Sequence, residues 1–148
     1  MSAPSVVVAC TKCRQPNRLP VKRIGGDGKC GACKTPLPAP TDPVDATDAD
    51  FQAFLDESPV PIVVDFWAPW CGPCRTVSPV LEDLAAGHSG HLLFVKINTD
   101  ENPNVSRKYG ISSIPHLMVF DGGKKVADQV GAPSRGALER WVDSFAKE

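Results

Sequence analysis

All six cysteines of this 148-residue chain fall in three pairs of identical spacing: "CTKC" (Cys10, Cys13), "CGAC" (Cys30, Cys33) and "CGPC" (Cys71, Cys74). A C-x-x-C pair can supply half of a metal site, close a local disulfide or work as a redox dithiol, so the flanking sequence has to separate these uses. The start, "MSAPSVVVAC", has no basic leader, no long apolar segment and no small-residue cleavage site, so no signal peptide is expected. No apolar run approaches the length needed to cross a bilayer. The expected setting is the cell interior, where thiols stay reduced and paired cysteines indicate metal binding or redox catalysis more than structural disulfides.

Charge divides the chain in two. Residues 1–40 hold seven Lys or Arg and one acid, Asp27, whereas residues 41–148 hold nine Lys or Arg and sixteen acids. The formal net charge of -1 therefore conceals regions of +6 and -7. The shift falls at "TPLPAPTDP", where four prolines in nine residues favour an extended, semi-rigid connector. The expected organisation is a small cysteine-bearing domain over residues 1–35, a Pro-rich linker over 36–43 and a second domain over 44–148.

The first segment has few large apolar side chains: Val6, Val7, Val8, Leu19, Val21 and Ile24. That is too little for a core of its own, and segments this short need a staple. Its two cysteine pairs are separated by sixteen residues, which matches the zinc-ribbon spacing. Two turns offering two thiolates each complete a tetrahedral S4 site at Cys10, Cys13, Cys30 and Cys33, and one chelated Zn²⁺ would supply the folding energy. Glycines 25, 26, 28 and 31 suit a tight return. Two local disulfides, free thiols, or iron in a rubredoxin-like site are the alternatives. The basic charge also allows nucleic-acid binding, but no aromatic interleaves the Lys and Arg residues, so a stacking platform is missing. A solvated face, or weak attraction to the acidic domain, is the expected use of that charge.

The second segment alternates in type. "DATDADFQAFLDES" places Phe51, Phe54 and Leu55 at helical spacing, with Thr47 or Asp48 as cap. "PIVVDFWA" and "HLLFVKIN" read as strands buried on both faces. A helix follows Cys71, kinked at Pro79. "NPNVSRKYG" reads as a short helix, "PHLMVF" and "KKVADQV" around "DGG" as a hairpin, and "SRGALERWVDSFAK" as a closing helix. A mixed sheet covered by helices on both faces follows.

The third cysteine pair has its own context. Cys71 follows a buried strand and opens a helix, where unpaired N–H groups and the helix dipole favour a thiolate. Pro73 is tolerable only in that first turn. Asp65 lies mid-strand, where an isolated carboxylate is costly and strongly perturbed, unless its charge escapes at an edge.

"VVDFWAPWCGPCR", then "KINTDENP", "YGISSIPHLMVF" and "VGAPSRGALERWV", in one register over about residues 44–148, resemble the thioredoxin family. The resemblance implies a five-stranded mixed sheet flanked by four helices, and reduction of protein disulfides. It implies Cys71 as the exposed nucleophile and Cys74 as the buried resolving thiol. Asp65 would assist proton transfer at Cys74, with Lys96 as its partner. Ile114-Pro115 matches the family's cis-proline dipeptide, with a trans, purely turn-forming proline as the alternative. The Ile114 backbone would pair with substrate, and Trp70, Gly72, Pro73 and Gly131 would border the docking groove. Trp67 serves packing or tuning. The family usually has Thr after the proline. Here it is His116, expected to lie near the dithiol, where a protonated imidazole would favour the Cys71 thiolate. His88 and His91 are expected as solvated loop residues.

With the cysteine-rich first segment, the chain is most similar to the zinc-containing two-domain thioredoxins of bacteria, the thioredoxin 2 group, which places it in a cytoplasm. That resemblance also implies an NADPH-dependent thioredoxin reductase and disulfide-containing substrate proteins as partners, no organic cofactor and no membrane. The Gly-Pro centre resembles that of reducing thioredoxins, at about -270 mV, not that of strong oxidants near about -120 mV. Two other readings stand beside this one: a zinc-dependent interaction module on a thioredoxin scaffold, and a redox switch in which the four-cysteine site ejects its metal.

Overall fold

The computed structural model describes residues 4–24, 26 and 28–146. The expected role of Gly25 in the N-terminal return, and the outermost residues of both expected domains, lie outside them.

The first segment is a ribbon. Strands β1 (Ser5–Ala9) and β2 (Pro16–Pro20) pair antiparallel, with Val6 opposite Leu19 and Val8 opposite Asn17. Side chains alternate across a strand, so Val6, Val8 and Leu19 turn inward while Val7 stays 66% exposed. A single 3-10 turn, Val21–Arg23, follows, and a second cysteine turn is closed by a bridge between Lys29 and Pro36. A Cβ on Gly28 would overlap Leu19 Cδ1, which shows how closely this second turn lies on β2.

The ribbon corrects one expectation. Its apolar side chains do not have to make a core alone. Val6, Val8, Leu19, Val21, Ile24 and Leu37 belong to one contiguous buried cluster with Phe51, Phe54 and Leu55 of helix α1 (Phe51–Glu57), and the 3-10 turn lies against α1. The ribbon seals one face of the larger domain. The Pro-rich stretch between them runs along the surface, with Leu37 buried and Ser89 Oγ donating to the Ala39 carbonyl at 3.2 Å.

The larger domain is built on a five-stranded sheet: β3 (Val44–Asp45), β4 (Ile62–Trp67), β5 (Leu93–Asn98), β6 (His116–Asp121) and β7 (Lys124–Val130). Their order is β3-β5-β4-β6-β7, parallel among the first three and antiparallel from β4 to β7. Residue patterns alone do not show β3, because two residues carry no period. The "DGG" turn forms as expected, with Gly122 and Gly123 at φ 62° and 84°, the left-handed pair that suits a tight hairpin.

Each buried strand feeds both faces. Ile62, Val64 and Phe66 pack with α1 and with Val105 of α3 (Pro103–Lys108), while Val63, Leu117 and Val119 pack with α2 (Gly72–Gly87) and α4 (Arg135–Asp143). Helix α2 runs unbroken through Pro79. The expected cap of α1 is corrected. Asp50 occupies that position without a side-chain cap bond and instead accepts from Thr47 N at 2.7 Å. Asp48 turns away to α3, whose Asn104 and Val105 N–H groups donate to its carboxylate at 3.2 and 2.7 Å. An anion is favoured at that helix start too, and Asn102 leaves it uncapped.

Candidate active site and metal centre

Cys71 ends the loop after β4 as the N-cap of α2, with Pro73 in the first turn. It is disulfide-bonded to Cys74, with Cα atoms 5.3 Å apart. Cys74 N donates to Cys71 Sγ at 3.2 Å, so the helix start that would favour a thiolate already points at this sulfur. The Ile114 carbonyl lies 3.7 Å from Cys71 Sγ, and the Ile114–Pro115 bond is cis, as the resemblance implies. Gly131, at φ 105°, donates its N–H to the Pro115 carbonyl at 2.9 Å, bringing the β7 exit beside the dithiol. Cys71 is not the exposed member of the pair. Both cysteines are 3% exposed in this disulfide form, packed with Ala68, Trp67 and Ile114.

Strand alternation sends Asp65 to the α2 face, under the dithiol. It lines a cavity of about 100 Å³ with Cys74, Ser78 and Lys96, among others. It is 3% exposed, and its Oδ1 has no hydrogen-bond partner. Burial pushes its pKa up to about 7, against the pull of Lys96 on the paired position of β5. Lys96 acts across space: its Nζ sits 4.5 Å from the centroid of the Trp67 ring. The cavity is large enough to admit water and opens on both the Asp65 carboxyl and Cys74.

Trp70 is 67% exposed beside Cys71, held by its indole N–H to Asp100 at 3.0 and 3.2 Å. The sequence reading missed Asp100, although the "KINTDENP" block contains it. Asn98 organises this turn, accepting from Asp100 N at 2.9 Å through Oδ1 and donating to Glu101 through Nδ2 at 2.9 Å.

His116 corrects a second expectation. It shares the sheet face of Phe66 and Met118, the face away from α2. Its ring lies edge-on to Phe66, and Nε2 is 2.8 Å from Asp128 Oδ2. That hydrogen bond, first among several influences, holds the Asp128 carboxyl below its usual range. The imidazole therefore spends its polarity on β7, not on the Cys71 sulfur. His88 is also no solvated loop residue: it caps α2 and reaches Asp143 of α4 at 2.7 Å. His91 likewise has a partner.

The other four cysteines converge. Their sulfurs all lie within 4.8 Å of one another, in pairs 3.6 Å apart that cross between turns, Cys10 to Cys33 and Cys13 to Cys30. The two turns have one design. Cys10 N donates to Gln15 O and Arg14 N to Cys10 O; Cys30 N donates to Thr35 O and Lys34 N to Cys30 O. Arg14 and Lys34 both take the left-handed conformation, at φ 64° and 65°. Backbone N–H groups of Lys12 and Cys13 point at Cys10 Sγ, and that of Ala32 at Cys30 Sγ.

The chemistry of this donor set fits a cation. The Cys30 thiol is drawn down to about 6, first by the Cys33 N–H and despite burial. Gln15 favours the Cys13 thiolate, yet burial and the three neighbouring thiols oppose it, and the net result is a thiol pushed up to about 11. Four thiols this close cannot all ionise without a positive charge among them, and a metal ion supplies one.

The thioredoxin family model matches residues 42–144. The chain belongs to the thioredoxin family. It is 50% identical over 97 residues to thioredoxin 1 of Nostoc sp., covering 66% of this chain and 91% of that protein. Chloroplastic thioredoxin M4 of Arabidopsis thaliana is 43% identical over 124 residues, covering 84% of this chain and 64% of that one. Among solved structures, a mutant thioredoxin from Halobacterium salinarum NRC-1 superposes with a TM-score of 0.64 at 31% identity, covering 74% of this chain and 96% of that chain. Thioredoxins are protein-disulfide oxidoreductases, and this chain is one, with Cys71 and Cys74 as its exchanging dithiol. Family membership brings disulfide-containing proteins as substrates. Among the described residues no helix is long and apolar enough to cross a membrane.

Proposed function

We propose that Cys71 opens the reaction and Cys74 completes it. The Cys71 thiolate attacks a substrate disulfide, forming a mixed disulfide and releasing one substrate thiolate. Cys74 then gives its proton to Asp65 through the adjoining cavity, and its thiolate attacks Cys71 Sγ. That bond replaces the mixed disulfide, the second substrate thiolate leaves, and the substrate has gained two electrons. The supporting observation is the pairing of an N-capping Cys71 with a buried Asp65 whose pKa of about 7 lets it take and return a proton near neutrality. Lys96 tunes that carboxyl. Pro115 shapes the platform, the Ile114 backbone pairs with an extended substrate segment, and Trp70, Gly72, Pro73 and Gly131 border the groove. An NADPH-dependent thioredoxin reductase in the cytoplasm returns the electrons.

In the same reading Cys10, Cys13, Cys30 and Cys33 hold one structural Zn²⁺ in a small domain over residues 1–35, joined by residues 36–43 to the domain over 44–148. The crossed sulfur pairs and matching turns support it. The metal contributes folding energy to the ribbon and no step of the exchange.

Insulin disulfide reduction tests the roles. Cys71→Ser is expected to lower turnover by about 10³-fold or more, as loss of a nucleophile does elsewhere. Cys74→Ser is expected to accumulate the mixed disulfide, visible by mass spectrometry. Equal turnover in wild type and Cys71→Ser would overturn the assignment.

A further inference from the structure

Asn17 stands on β2, just after the first cysteine turn, and its carboxamide spans both turns. Its Nδ2 donates to the Gln15 carbonyl at 2.8 Å, and its Oδ1 accepts from Gly31 N at 3.0 Å. These partners belong to opposite halves of the four-cysteine cluster. Gln15 O also accepts from Cys10 N at 3.0 Å, closing the first turn. Gly31 follows Cys30, and the next N–H, that of Ala32, points at Cys30 Sγ at 3.4 Å. Across the two turns the sulfurs also meet one another, and the Asn17 side chain bonds the Cys30 thiol as well.

The geometry points to Asn17 as the positioning residue of the metal centre, a latch that sets one cysteine turn against the other before the ion arrives. This rests on the reading that the four thiolates bind zinc. The chemistry requires a carboxamide, with a donor on one side and an acceptor on the other. Aspartate has the same shape but would set a carboxylate oxygen against the Gln15 carbonyl oxygen. Alanine removes both bonds. With the latch in place, the ion meets four sulfurs already gathered, and less chain ordering opposes binding. Partners just outside a ligand shell typically contribute 10–100-fold in metal affinity.

The test uses the full chain, reduced, with zinc titrated against a chromophoric chelator. Wild type is expected to take up one zinc. Asn17→Ala and Asn17→Asp are expected to bind about 10–100-fold more weakly. Cobalt-loaded variants should keep the sulfur-to-metal absorption bands of wild type, because all four ligands remain. In the zinc-loaded Asn17→Ala chain, amide exchange should quicken at Gly31 and Ala32 while Val6 and Val8 of β1 keep wild-type protection. Tryptophan emission is the control for the larger domain, which holds Trp67, Trp70 and Trp141. Wild-type affinity in Asn17→Ala would overturn the latch. So would loss of protection throughout β1, which would mean a general role in hairpin stability. A wild-type chain that takes up no metal would overturn the zinc reading with it, an outcome distinct from the other two.

Discussion

The ribbon and the α2 start use the same four-residue motif for opposite ends. In all three copies the first cysteine sulfur faces backbone N–H groups from the residues that follow it. Polarity at that sulfur therefore does not distinguish them. What differs is the continuation of the chain. After Cys13 and Cys33 the backbone turns left-handed at Arg14 and Lys34 and heads back, so each pair ends a hairpin and the two hairpins meet. Cys74 instead lies inside a helix of sixteen residues, Gly72–Gly87, so that pair meets no second pair. It meets a buried carboxylate and a cis-proline. Four thiols this close to one another suit a cation. Two thiols beside a buried carboxyl and a cis-proline fit the dithiol of a disulfide oxidoreductase.

The sharpest way to break this contrast is to remove one ribbon thiol. Cys30→Ser is expected to weaken zinc binding by more than the ~10–100-fold of an outer partner, and to abolish amide protection in β1 and β2. Metal content by emission spectroscopy and hydrogen exchange check it. A ribbon that lost its metal and kept its protection would show that its stability comes from the apolar cluster shared with α1.

The next largest effect belongs to the other region. The Asp65 pKa is near 7 folded and near 3.8 as the reference value. The folded chain thus holds this proton more tightly than the unfolded one. The carboxyl contributes stability below about pH 4 and loses it as pH rises through about 7, a change of roughly 4 kcal/mol. Asp65→Asn should therefore be more stable than wild type at pH 8 by that order, with the difference fading toward pH 4. Urea unfolding at both pH values decides it, and a pH-independent difference would count against the buried, unpaired carboxyl.

Gly28→Ala sharpens the ribbon side. The added methyl overlaps Leu19 Cδ1, itself only 2% exposed, and overpacking of this kind costs about 1–3 kcal/mol. The loss should appear as weaker zinc affinity, with the urea midpoint of the larger domain little changed. The smallest effect is expected from Asp48→Ala, which removes the borrowed cap of α3 and costs about 1 kcal/mol. Thermal unfolding measures it, and a loss well under a few tenths of that would mean water replaces the carboxylate.

Much of the site was legible in the sequence because it is local. Cys71, Pro73 and Cys74 lie within one turn, and the strand before them is a continuous apolar run broken by Asp65. The sixteen-residue gap between the first two pairs already allowed a four-sulfur cluster. The family register carried Pro115 and Gly131. What was misread depended on which way a side chain turned. His116 follows Pro115 directly, but alternation on β6 sends its ring to Phe66 and Asp128, away from α2. Asp48 lies beside α1 in sequence yet caps α3, because the tertiary fold sets that helix start against it. His88 looked like a polar loop residue until α4 placed Asp143 within reach.

By itself the sequence determined the three C-x-x-C spacings, the apolar runs of β4 and β5 and the helix start at Cys71. These follow from spacing and propensity over a few residues, where the chain has little freedom. Only the tertiary structure decided that the ribbon shares its core with α1, that Asp65 shares a cavity with Cys74, and that Asn17 bridges the two cysteine turns. Each is a contact between segments distant in sequence. The energy of such a contact depends on burial and direction, which no local pattern records.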